Sequence, residues 1–450
     1  MLEMESPTMH MHVVGVLVLD PSTAAEGWSP AAVDRVYTER MHLLPPFRRR
    51  VVEVPGGLDH PRWIEDAEFD LRRHIRHLDL GPGAGREDLE RFTGEVASRP
   101  LRRDRPLWEL WVLEGFADGT VAVVSKVHHA LMDGSASGDI LASLMDLTPD
   151  PGPPPEAPPW EGESAPSPIR LLTEAGPATL GRLVRLPVTV ARTVGSLIGS
   201  REQVAAAPSA VLGLAPGSRL NGPLAASRSV AFRRCALDDL KAVKTALGVT
   251  VNDVVLAATT IALRRYLIER GDVADVPLVA SVPVAGRQAG EKFGNHTSNI
   301  MISLPVQLDD PLEVVAAIHE TADAAKGVKD TLDSRVLDSW IGVLPAALLH
   351  AGARLYSDLH LGRLQPPLFN TIVSNVMGPP MALYLAGARL VGIYPMGPLI
   401  ANAGLNVTVL SLSGAVDIGV IGCPDQVDDV GEIADAFVDA LAELRQLTAS

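Results

Sequence analysis

His128 and His129, followed by Asp133 and Gly134, form the pattern His-His-x-x-x-Asp-Gly. Imidazole titrates near neutrality, at about pH 6.5, so such a ring can take a proton from an alcohol and return it within one turnover. The pair follows the apolar run Val121–Val127 and precedes the helix-like run Ile140–Met145. Successive side chains on a strand point to opposite faces. If both rings end the strand, one faces a cleft and the other packs behind it. Asp133-Gly134 then reads as a turn, with Asp133 either orienting an imidazole or pinning the loop through an arginine. Two further readings compete. One is a pair of histidines and a polar turn beside a buried strand, with no chemistry. The other is a metal site, since His129 and Asp133 stand four apart. No third ligand lies nearby, and there is no Cys-x-x-Cys or His-Glu-x-x-His, so no metal is expected.

The elements that must carry these residues are legible in outline. His12–Leu19 is strand-like, and Pro30–Leu43 is helix-like until Pro45-Pro46 ends it. Leu107–Glu114 and Thr120–Val127 are β-like runs joined by Ala117-Asp118-Gly119, a hairpin signal. That hairpin is expected to deliver His128 and His129 to one edge of a sheet. Nine prolines between Pro149 and Pro168 mark an extended linker. The apolar stretch Ile169–Ile198 carries Arg170, Arg182, Arg185 and Arg192. It reads as a helix packed across two domains with its arginines in water, or as a basic amphipathic segment on an anionic membrane surface.

A second domain follows. Leu237–Leu247 is an amphipathic helix closed by Gly248. A helix Val254–Glu269 is expected next, with Asn252 or Asp253 as N-cap. Val276–Val284 and Asn299–Val306 read as strands. Pro311–Lys326 reads as a helix with Leu312, Val315, Ala316 and Ile318 inward. Leu405–Leu412 and Ala415–Gly422 form a hairpin around Ser413-Gly414, and Val430–Leu447 is a last helix. The expected organisation is therefore an α/β domain over 1–148, a linker and crossing helix over 149–215, and an α/β domain over 216–450, with a cleft between the two domains.

Composition narrows the function classes. The chain has 450 residues, 47% apolar and 21% charged, ample for two or three globular domains. Net charge is -15, from 39 basic and 54 acidic residues, which argues against a nucleic-acid partner. Cys235 and Cys423 form no disulfide framework, as in a reducing cytoplasm. The start, Met1 to Pro7, has neither a basic region nor an apolar core, so no signal peptide is expected. No uncharged apolar stretch reaches bilayer-spanning length.

The motifs taken together resemble a family. The chain is similar to the bacterial wax ester synthase/acyl-CoA:diacylglycerol acyltransferases and, more distantly, to chloramphenicol acetyltransferase and peptide-synthetase condensation domains. The resemblance runs in order along nearly the whole chain. It is carried by Pro61-Arg62-Trp63, Arg99-Pro100-Leu101, the Pro106-Leu107-Trp108 block, Lys126–Gly134, Leu220–Pro223, the Asn252-Asp253 block, Val282–Val284 with Arg287, Ser374-Asn375-Val376, and Gly404-Leu405-Asn406. The histidine motif alone would mark only the superfamily. Two departures stand out: Met1-Leu2-Glu3 opens inside a Ser-Pro-x-Asp-containing segment with which family members begin, leaving one entrance wall short or the start misplaced, and Met377 stands where proline is common.

The resemblance implies two chloramphenicol acetyltransferase-like α/β domains with an active-site tunnel between them. It implies a long-chain acyl group passing from acyl-CoA to diacylglycerol or a fatty alcohol, giving triacylglycerol or wax ester without an acyl-enzyme. His129 would be the proton acceptor and His128 its support. Asp133 would hold the loop, through Arg287, and the Gly134 N–H would be an oxyanion donor. Asn252 either lines the site or is a plain N-cap. Pro106, Leu107 and Trp108 would be scaffold behind the hairpin. No cofactor is implied, because acyl-CoA is a substrate. The expected setting is the cytoplasm, with a peripheral place on the inner membrane face or on lipid bodies. Two alternatives stay open: another lipid or polyketide alcohol as acceptor, or a lipid-binding protein without activity.

Overall fold

A computed structural model of the chain describes residues 5–25, 27–131, 134–152, 156–177, 215–273, 275–285, 297–329, 367–400 and 402–449, with a few isolated positions besides. Two six-stranded mixed sheets dominate it. The strands are β1 (His12–Asp20), β2 (Arg49–Val52), β3 (Arg62–Glu65), β4 (Ile75–Ala84), β5 (Trp108–Phe116), β6 (Val121–His128), β7 (Ser229–Ala236), β8 (Leu278–Ala285), β9 (Thr297–Leu304), β10 (Thr371–Val376), β11 (Tyr384–Leu385), β12 (Ala388–Met396), β13 (Leu405–Leu412) and β14 (Ala415–Gly422). The first sheet has the order β11-β12-β1-β6-β5-β4 and the second β7-β14-β13-β10-β8-β9, while β2 and β3 form a small hairpin.

Two corrections concern how the histidine strand sits. β6 does not lie at a sheet edge: β1 pairs with it on one side and β5 on the other. The local hairpin signal shows only the β5 partner; β1 comes from more than a hundred residues away. In addition, β11 and β12 come from the second half of the sequence yet complete the first sheet, with β12 antiparallel to β1. The chain leaves the second sheet after β10, adds two strands to the first, and returns at β13. A boundary drawn at 216 does not register this return.

The helices cover outer faces. Helix Arg86–Ala97 places Leu89, Val96 and Ala97 on Val14, Val16, Ala122 and Val124 of the first sheet. Helices Leu237–Leu247, Val251–Glu269, Pro311–Lys329 and Val430–Leu447 bury the second sheet in one large apolar core. Gly248 takes φ +69° and ends the first of these, as a left-handed C-cap allows. The next begins earlier than the sequence suggests. Thr250 is its N-cap, accepting from the Asp253 N–H, while Asp253 accepts from the Thr250 N–H. This reciprocal box leaves Asn252 and Asp253 inside the first turn rather than at the cap. In the 311–329 helix the buried stripe is Val314, Val315, Ile318 and Ala322. Ala316 is exposed, one residue out of phase with the expected stripe.

The proline-rich segment bridges to β3 at Glu163, whose N–H donates to Glu65 O at 2.8 Å. Residues 168–177 are helical, with Leu171 and Ala175 packed on Val54 and Arg170 paired to Glu174. Arg182, Arg185 and Arg192 lie outside the described residues. Among the described residues no single helix is long and apolar enough to cross a membrane; one pair, 237–247 with 251–269, passes that test only jointly and is bent by 103°.

Candidate active site

Strand alternation builds the site. On β1, Val13, Gly15 and Leu17 face one side; on β6, Val123, Ser125 and Val127 face the same side; His129, just past the strand end, follows their phase. From the second sheet, Ile372, Ser374 and Val376 of β10 and Asn406, Thr408 and Leu410 of β13 face them. Between lies a cavity of about 300 Å³, also lined by Ile393 and Pro395 of β12 and by Ile140, Leu141 and Leu144 of helix Gly134–Leu144. Most of its wall is apolar. His129 is half-buried and is the only imidazole on that wall among the described residues.

Both neighbouring strands hold the end of β6. The His128 N–H donates to Leu107 O at 2.9 Å, and the His129 N–H donates to Met11 O at 2.7 Å. The Pro106-Leu107-Trp108 block thus supports the histidines through its backbone. Trp108 itself is buried, donates from Nε1 to Phe47 O at 2.8 Å, and stacks against His74, Phe47 and Tyr37. It does not line the cavity.

His128 turns to the opposite face, where it is 1% exposed. Its cross-strand partner there is His12, which stacks on His10. His12 donates from Nε2 to Ala97 O, and His10 to Ser98 O, because a carbonyl can only accept. Lys126, also on this face, donates to Val96 O and Arg99 O and lies 3.4 Å from Glu109. Burial, with Arg103 next in importance, pushes the His128 ring down to about 3; burial with Arg228 pushes His10 down to about 4; burial and then Lys126 hold His12 well below 6.5. All three rings are therefore neutral at pH 7, and a ring kept neutral and pointed away from the cavity cannot itself act on substrate.

The other sequence candidates fall in different places. Gly134 opens the helix whose later residues line the cavity. Asp133 and Arg287 lie outside the described residues. Asn252 is half-buried, is not the N-cap, and does not line the cavity. Asp253 is buried; besides the capping box it accepts from His319 Nδ1 at 2.8 Å, so it joins two helices of the second core. Sequence reading missed the polar groups on the cavity wall: Ser125, Ser281, Asn299, Ser374, Asn406 and Thr408. Thr408 Oγ1 donates to Asn406 Oδ1 at 2.9 Å, fixing the amide so that its Nδ2 faces Pro398 O at 3.3 Å. The signal was available in part, since Asn406 and Thr408 stand two apart on one strand and so share a face. Among the described residues no cluster of three metal-ligating side chains occurs.

An imidazole on the wall of an apolar cavity between two sheets could act on the polar end of a greasy substrate. Comparisons with known proteins show the family. The wax ester synthase/diacylglycerol acyltransferase catalytic domain matches residues 1–255, and the WS/DGAT C-terminal domain matches residues 293–445. A relative from Mycobacterium tuberculosis, provisionally named a diacylglycerol O-acyltransferase, is 37% identical over 450 residues, covering 98% of this chain and 88% of its own. A second from that organism, similarly named, is 35% identical over 449 residues, covering 99% and 94%. Among solved structures, the wax ester synthase/diacylglycerol acyltransferase from Marinobacter aquaeolei VT8 superposes with a TM-score of 0.70 at 28% identity, over 100% of this chain and 97% of that one. The first condensation domain of the calcium-dependent antibiotic synthetase superposes at 0.57 over 99% and 93%, and at 17% identity it speaks to the fold alone. The chain belongs to the wax ester synthase/diacylglycerol acyltransferase family and is an acyltransferase enzyme.

Proposed function

We propose that the protein moves a long-chain acyl group from acyl-CoA to the hydroxyl of diacylglycerol or of a long-chain alcohol, with His129 as general base. The observation that carries this reading is the position of His129 on the wall of the apolar cavity between the two sheets. The ring takes the proton of the acceptor hydroxyl as its oxygen attacks the thioester carbonyl. The tetrahedral oxyanion then collapses, the C–S bond breaks, and the departing thiolate receives the proton from His129. The first four backbone N–H groups of a helix have no partner within it, so the Gly134 N–H is assigned to the oxyanion. Asp133 holds the loop between the base and that helix. No protein nucleophile is consumed and no cofactor is called on. The base is worth about 10²–10⁴ in rate, and each methylene buried in the cavity contributes about 0.8 kcal/mol to binding.

Thiol release from long-chain acyl-CoA, with hexadecanol and diacylglycerol offered separately, tests the reading. Acceptor-dependent release that His129→Ala reduces by at least about 100-fold, in a variant that still folds, is the expected result. Release with neither acceptor would point to another lipid alcohol. Binding without any release would mark a lipid carrier, and an active His129→Ala would remove the assigned base.

A further inference from the structure

The ends of β5 and β1 fix the backbone of His128 and His129, but the turn beyond them is held from the reverse face of the sheet. His128 Nδ1 accepts the Ala130 N–H at 3.0 Å, a bond that spans His129. With Nδ1 an acceptor on a neutral ring, the proton must sit on Nε2. That Nε2 is buried, and among the described residues it has no hydrogen-bond partner. Glu5 stands beside it: Oε2 is 3.8 Å from His128 Nε2, and Oε1 is also buried without a hydrogen-bond partner among the described residues. The carboxylate is anchored, since Arg103 Nη2 donates to Oε2 at 2.8 Å and to Leu2 O at 2.8 Å, while Nη1 donates to Glu53 at 3.0 Å. Buried polar groups in folded proteins are almost always paired. A carboxylate oxygen can accept more than one hydrogen bond, so Oε2 can take the His128 Nε2–H beside the Arg103 bond after an approach of about 1 Å.

We propose that Glu5 is a positioning residue of the transfer reaction: its carboxylate takes the His128 Nε2–H, holds that ring in the tautomer that binds the Ala130 N–H, and thereby fixes the turn that aims His129 into the cavity. This rests on His129 being the base. The line of contact runs from Arg103 through Glu5 and His128 to Ala130, so the segment ahead of β1 sets the geometry of a loop more than a hundred residues further on.

The test uses the 450-residue chain with Glu5→Ala, Glu5→Gln, His128→Asn and the double variant Glu5→Ala/His128→Asn. Misplacing a reacting group by about 1 Å costs up to about 100-fold in rate. Glu5→Ala is therefore expected to lower kcat about 10- to 100-fold with KM within about twofold. Glu5→Gln keeps an acceptor oxygen and recovers most of that loss. Asparagine at 128 can still accept the Ala130 N–H as an Asx turn but has no ring N–H to offer. In that background Glu5→Ala should cost nothing more, a non-additivity that a merely structural role would not produce. Nitrogen-15 spectra of the histidines should show the Nε2–H form of His128 in the parent and its loss in Glu5→Ala. Unchanged kcat in a folded Glu5→Ala variant, additive effects with His128→Asn, or an unaltered tautomer would overturn the proposal. If Glu5→Ala fails to fold, the Gln variant and the tautomer spectra of the parent still decide it. An active His129→Ala sinks the base and this inference together, whereas an inactive His129→Ala beside a fully active Glu5→Ala sinks only the inference.

Discussion

Gly15 shows how a single residue divides stability from function. It lies in the middle of β1, where glycine normally weakens a strand. A Cβ built there meets nothing within 4 Å, and the position lines the cavity. Gly15→Val should therefore keep or raise the thermal midpoint, since a β-branched residue suits a strand, while filling space an acyl chain would use. Turnover of a long-chain acyl-CoA is expected to fall relative to a short-chain one. Equal loss on both would show that the position does not meet the chain. Gly397 is the converse case. A Cβ there would stand 2.6 Å from Asn406 Nδ2, so the close approach that orients this wall amide requires glycine.

Elements are tied across the two sheets by a few buried polar groups. Asp417 on β14 is fully buried and accepts the Ile393 N–H of β12 at 2.8 Å, a bond from one sheet to the other. Ile393 lines the cavity, so this bond helps set the wall. Asp417→Ala leaves a buried N–H unpaired and should cost about 1–3 kcal/mol in urea unfolding, whereas Asp417→Asn retains an acceptor and should cost less. Burial lifts the Asp417 carboxyl to about 6, above the unfolded value of about 3.9. The native state then holds the proton more tightly, so this group's contribution to stability declines as pH rises from about 4 to 6. A second element-scale expectation concerns the capping box. Thr250→Ala removes the acceptor for the Asp253 N–H and should cost about 1 kcal/mol, without altering turnover, because neither residue lines the cavity. A fall in kcat at unchanged stability would place the Asn252-Asp253 turn nearer the chemistry than it stands.

For the whole molecule, acid sensitivity follows from the histidines behind the site. His10 and His128 are depressed to about 4 and about 3, and His12 lies well below 6.5, in each case chiefly through burial. The unfolded chain takes up these protons first. Their stabilisation is complete above about pH 6.5 and is lost as pH falls toward the native values. At about 1.4 kcal/mol per unit, the loss by pH 4 is on the order of several kcal/mol, more than Asp417 returns over the same range. The urea midpoint at pH 5 is expected to lie well below that at pH 7.5, and His128→Asn should narrow the gap. Equal midpoints at the two values would contradict the burial argument.

What the sequence determined by itself is what neighbours along the chain decide. The β5–β6 hairpin around Asp118-Gly119, the β13–β14 hairpin, the Gly248 helix stop and the last helix all follow from turn chemistry and side-chain period, and all stand where the residues place them. Alternation along β6 likewise separates His128 from His129 with no knowledge of the fold. Only the tertiary structure decided which strands share a sheet. Any strand offers the same backbone donors and acceptors, so the placing of β1 and β12 beside β6 depends on the total burial of both sheets rather than on a local signal. The cavity exists only through those pairings, because its walls come from residues between 11 and 410 that no sequence window contains. The cap at Thr250 and the polar wall at Asn406 were obscured for the same reason: a side chain's partner, unlike its period, is set by what packs against it.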